Sequence, residues 1–128
     1  MVSSLPWEKL IEELERKLRL MLAKIMIAER LTFNESVKRQ FLWTAIFTRN
    51  PLMLPETMRN VYISTVVSDI KKLKKKVEKE RRELLKRGDN EKAMALEEVI
   101  KELSIGKGIT VNELRERIER LSRLLQRL

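Results

Sequence analysis

Apolar positions recur along this chain at alternating intervals of three and four, and the rhythm breaks in only a few places. Trp7, Ile11, Leu14, Leu18, Met21, Ile25 and Ala28 form the first series. That is the helical period, not the period of two that a strand requires. Ser3 and Ser4 ahead of Pro6 supply start signals, so a first helix is predicted over 5–30. From Leu20 to Ala28 the chain is apolar almost all round, which asks for neighbours on every side. Thr32-Phe33-Asn34-Glu35 has the form of a capping box and predicts a second helix over 33–48, stopped at Asn50-Pro51. It has two aromatic faces: Phe33, Val37, Phe41 and Ala45 form one stripe, and Arg39, Trp43 and Phe47 another, roughly opposite.

Residues 55–87 read as one helix, about 45–50 Å long at 1.5 Å per residue. That is longer than a small domain is wide, so one end can sit in a core while the basic end projects. Its seam runs Ile63, Val66, Ile70, Leu73, Val77 and Leu84, with Glu80 in the missing place. Lys86-Arg87-Gly88 is a stop signal, a basic last turn followed by a residue at home in the left-handed region. Asp89 can cap a fourth helix to residue 104, carrying Ala93, Leu96, Ile100 and Leu103. So short a connection predicts an antiparallel hairpin over 55–104. Ser104 to Gly108 reads as a hinge, and Thr110 to Glu113 as a second capping box. The last helix repeats a heptad, with Val111, Ile118 and Leu125 at one position and Leu114, Leu121 and Leu128 at the other. That is coiled-coil grammar over two and a half heptads.

The fold expected is therefore all-α with about five helices. It has an N-terminal core, a long basic antiparallel hairpin and a C-terminal coiled-coil-like helix. Residues 1–104 would form the bundle with its hairpin, and 105–128 the hinge and an oligomerising end. For that end two readings stand: the seam zips with a copy of itself, or it packs back on its own chain.

Residues 77–103 resemble the UVR helical-hairpin motif of nucleotide-excision-repair proteins, through Asp89-Asn90-Glu91-Lys92-Ala93, Leu96, Glu98, Ile100 and Leu103. The motif's aromatic is Asn90 here and its Arg is Glu97, so the resemblance implies hairpin geometry only.

Charge changes the picture most. Of 128 residues, 28 are Lys or Arg and 19 are Asp or Glu, a net +9. Residues 71–88 hold ten of the bases against three acids, a net +7. A field so concentrated attracts polyanions. Lys71, Lys72, Lys74, Lys75, Lys76, Lys79, Arg81 and Arg82 are thus the candidate contacts to a nucleic-acid backbone, giving salt-sensitive, sequence-tolerant binding. The plainer reading is a solvated face, or one neutralised by Glu97, Glu98 and Glu102 of the returning helix. Arg39, Trp43 and Phe47 could stack bases, or the aromatics could belong to the core.

Other chemistries are closed off. With no His and no Cys, there is no thiolate or imidazole metal site and no ordinary nucleophile–base pair. The chain lacks a Gly-rich phosphate loop. No enzyme, cofactor or metal is expected. The longest apolar run is too short to span a bilayer and no signal sequence is apparent, so an intracellular protein with no membrane partner is expected, cytoplasmic or within a virion. The abundance of Lys, Glu, Arg, Leu and Ile without Cys points to a thermophilic, archaeal source. The function expected is a non-enzymatic nucleic-acid-binding or packaging protein, a virus coat subunit among the forms it could take. The alternative is a homo-oligomeric adaptor whose basic arm meets an acidic protein surface.

Overall fold

A computed structural model describes residues 6–128, leaving aside the side chains of Thr32 and Phe33. The proposed caps at Ser3 and Ser4 and the start of the first helix at residue 5 lie outside the described residues. The described chain is all-helical: α1 (Trp7–Phe33), α2 (Glu35–Thr48), α3 (Pro55–Lys86), α4 (Asn90–Leu103) and α5 (Val111–Gln126), with one 3-10 turn at Pro51–Met53. No strand occurs among the described residues.

Four of these helices close a ring: α1 packs on α3, α3 on α4, α4 on α5, and α5 back on α1. Directions alternate around it. Lys24 Nζ meets Asp69 at 2.7 Å and Glu13 meets Lys76, so α1 and α3 run antiparallel. Each helix covers its own three-four stripe with those of its neighbours. Leu14, Leu18 and Met21 of α1 meet Val66, Ile70 and Val77 of α3, Leu96 and Val99 of α4, and Leu114, Ile118 and Leu121 of α5 in one core. A fully buried Leu or Ile of this kind stabilises the fold by about 1.5–3 kcal/mol.

The helix ends follow local chemistry. Arg87 closes α3, Gly88 takes φ 76°, and the N–H groups of Gly88 and Asp89 donate to the carbonyls of Leu85 (3.1 Å) and Leu84 (2.9 Å). Those two bonds make a Schellman cap and satisfy carbonyls the helix would otherwise orphan. Asp89 then accepts from the Lys92 N–H at 3.4 Å, and Thr110 Oγ1 accepts from the Glu113 N–H at 3.2 Å to start α5. The second helix begins differently from expectation. α1 continues through Phe33, and the cap of α2 is Asn34, whose Oδ1 accepts from the Val37 N–H at 3.1 Å. Leu31 is buried, so packing carries α1 three residues past its predicted end at residue 30 and through Thr32.

Two larger expectations change. The basic half of α3 does not project: Leu73, Val77, Glu80 and Leu84 are all buried. Glu80 shares a cavity of about 70 Å³ with Trp7, Arg87 and Lys92. Nor is the α5 seam an exposed zipper. Leu114, Ile118, Leu121 and Leu125 are buried within their own chain, Val111 is half-buried, and only Leu128 is exposed. Gly108, at φ 74°, helps turn the chain back. Arg117 then donates to the carbonyls of Lys101 (3.3 Å), Glu102 (3.4 Å) and Ser104 (3.1 Å), fixing α5 to the C-terminal end of α4. A cation is favoured at that negative helix end.

Ile118→Ala should therefore lower the unfolding free energy by about 2–5 kcal/mol in urea melts, with no change in the mass measured by light scattering. A loss near zero would place α5 outside the core.

Candidate polyanion-binding face

Burial of the seam sorts the eight basic candidates of α3 by direction. With Leu73, Val77, Glu80 and Leu84 inward, the residues two places on from each stand on the opposite side of the helix. Those are Lys75, Lys79, Arg82 and Lys86, and Lys72 continues the series, all exposed and spaced 3-4-3-4. The stripe covers about 21 Å of helix axis. Lys71 is exposed beside it, and Lys74 is half-buried on the α4 flank.

Two of the eight candidates are held by acids of the same chain. Lys76 pairs with Glu13 of α1, and Arg81 Nη2 lies 2.5 Å from Glu97 Oε1 of α4. The other acids expected to neutralise the arm go elsewhere: Glu98 to Lys101 at 3.7 Å, and Glu102 to Arg117 (3.8 Å) and Arg120 (3.6 Å). Lys86 meets its own Glu83 at 3.7 Å. Among the described residues, Lys71, Lys72, Lys74, Lys75, Lys79 and Arg82 have no ion-pair partner.

The same side of α3 continues toward its start as a shallow furrow of about 500 Å³, lined by Thr57, Asn60, Val61, Ser64, Ser68 and Lys72 among others. Its small polar side chains leave the helix surface open right up to the first lysine. Sequence reasoning missed this half of the face. The signal was present in Thr57, Val61, Ser64 and Ser68, small residues at helical spacing inside an otherwise apolar stretch.

The aromatic candidates stand elsewhere. Trp43 and Phe47 are 58% and 79% exposed, so they are not core, and their rings stack at 5.9 Å with 29° between planes. Arg39 is exposed on the same side. However, α2 meets α3 around Leu54 to Thr57, about 22 Å of helix rise from Lys72. The structure does not bring the rings and the lysine stripe together.

Among the described residues, no group of side chains is arranged to hold a metal ion, and no helix is long and apolar enough to cross a membrane. The chain matches no protein-family model, no curated protein and no solved structure.

One pH effect follows from the flank of the stripe. The Lys76 ammonium bonded to Glu13 holds that carboxyl below the ordinary glutamate range; burial opposes the shift, and Lys17 adds to it. A carboxyl depressed in the folded state contributes stability that is present above its unfolded pKa and lost as pH falls through the folded one. Glu13→Gln should thus lower the urea midpoint at neutral pH and converge with the parent chain in acid. A constant offset across the whole pH range would show that the ion pair is not the cause.

Proposed function

We propose that the chain is a non-enzymatic, sequence-tolerant nucleic-acid-binding protein that lays the outer stripe of α3 along a phosphate backbone. The observation that carries the reading is the row of Lys72, Lys75, Lys79 and Arg82, exposed and free of ion-pair partners on one side of one rigid helix. A lysine ammonium is a compact point charge without the planar fork that reads base edges. Three lysines and one arginine in a row therefore suit phosphates rather than sequence. Coating or packaging needs no more than this. The packed bundle behind α3 keeps the cations in register, so little ordering remains to be done on binding.

Titrating labelled duplex and single-stranded oligonucleotides against salt tests the proposal. Four to five phosphate contacts predict a slope of log K against log[salt] of about −3.5 to −4.5 for duplex and about −3 to −3.5 for single strands, with unrelated sequences within a few-fold of one another. Reversing Lys72, Lys75, Lys79 and Arg82 together to Glu should abolish binding and leave the helical circular dichroism intact. Reversing Lys9, Arg16 and Arg19, exposed on α1, should weaken it only modestly. Equal losses from both sets would mean that net charge, not the stripe, governs binding. Tight, nearly salt-independent association with one acidic protein would replace this reading with the adaptor.

A further inference from the structure

The four bundle helices bury their three-four stripes, although Leu20, Met26 and Ile27 of α1, expected to have neighbours on every side, remain exposed. In contrast, α2 covers only one of its two apolar sides. Its inner side, with Val37, Phe41 and Ala45, rests against the bundle, and only Ala45 is fully buried. Its outer side is apolar as well. Leu42 is 44% exposed and Ile46 56%, alongside the exposed rings of Trp43 and Phe47, with Leu52 and Leu54 bordering them. A helix apolar on both sides belongs between two surfaces, and here only one is present.

We propose that the second surface is α2 of another copy, the two helices crossing antiparallel about a two-fold axis near Leu42. Area is the first support. The six side chains together present on the order of 500–600 Å² of apolar surface, so a two-fold contact covering all of it would bury roughly 1,000–1,200 Å² in all, at the lower limit for a specific interface. Charge is the second. Glu35, which also meets Lys38 of its own helix at 3.5 Å, and Arg49 are exposed at opposite ends of α2, and Leu42 is the midpoint between them. An antiparallel pair brings each Glu35 to Arg49 of the second copy, whereas a parallel pair would oppose like charges. Arg39 would then lie beside the ring of Phe47 of the second copy, a favourable cation–π placement. A two-fold contact requires such self-complementarity.

A base-stacking platform would use the two rings and leave Leu42, Ile46, Leu52 and Leu54 exposed without purpose. An anionic bilayer would meet Glu35 and Glu56 as well as Arg39 and Arg49, all exposed around the face, and is separated from the dimer by the test below. The dimer uses the whole face, is independent of the proposed phosphate stripe, and leaves that stripe free.

Sedimentation velocity from about 1 to 500 μM tests it, with dimerisation read as a mass twice the 15.2 kDa chain. Trp43→Glu combined with Phe47→Glu should weaken the dimer at least a hundredfold while leaving the helical spectrum unchanged, because both side chains are exposed. Glu35→Arg or Arg49→Glu alone should each weaken it severalfold, and the two together should restore it. A parent chain monomeric at every concentration overturns the proposal, as does a dimer indifferent to the Trp43 and Phe47 changes. Failure of the double charge reversal to restore the dimer overturns the antiparallel pairing. Loss of oligonucleotide or anionic-vesicle binding in the Trp43 and Phe47 variant, with mass unchanged, would assign the face to that ligand instead.

Discussion

Everything in this fold depends on four apolar stripes covering one another. Each of α1, α3, α4 and α5 has a stripe that cannot face water, and the ring in which they pack satisfies all four from within one chain. Closure of that ring has a consequence for charge. Once the inner side of α3 is committed to the core, the rotation of every other residue on that helix is fixed, because 3.6 residues per turn leaves no freedom. A run of lysines that looks charged all round in sequence becomes three populations: flank residues facing α1, flank residues facing α4, and an outward row.

Those populations meet different electrostatic fates. On the flanks, acids of the neighbouring helices stand within reach, and Glu13 and Glu97 take Lys76 and Arg81. Pairs that are partly exposed contribute modestly to stability, but here they also fix which cations are neutralised. The outward row has no neighbouring helix to supply acids, and only Lys86, at its end, meets a carboxylate of its own helix, Glu83. The packing that would seem to use up the basic segment is what isolates its free face and holds it straight.

Much of this was legible in residues. The spacing of Leu14, Leu18 and Met21, the Gly88 stop and the Thr110 cap each act within one or two turns of chain, and such local signals place helices well. What was not legible was which stripe covers which. The heptad of Leu114, Ile118, Leu121 and Leu125 states only that the seam must be covered; a second copy and the chain's own α1 and α4 satisfy that demand equally. Likewise, the lysines of α3 were visible, but the division between paired and free depends on acids far away in sequence. The spacing of Thr57, Val61, Ser64 and Ser68 is helical, but it shows only that these small residues share one side of α3. That this side is open, and continuous with the lysine row, depends on which side the core takes.

α2 marks the limit of the argument from closure. Its aromatics stood out in the sequence, and two readings, core or ligand surface, followed from their chemistry alone. The bundle is complete without them: among the described residues, no α2 side chain joins the central core, and the helix is set off by Asn34 at one end and by Arg49, in the left-handed conformation at φ 55°, at the other. A helix added to a finished core has no internal reason to be apolar on its outer side. Exposed Leu, Ile, Trp and Phe there lower solubility and raise the risk of aggregation, a cost with no return in the stability of the single chain. The second-copy contact proposed for this face would supply that return from outside the chain, as the core supplies it for the other four helices.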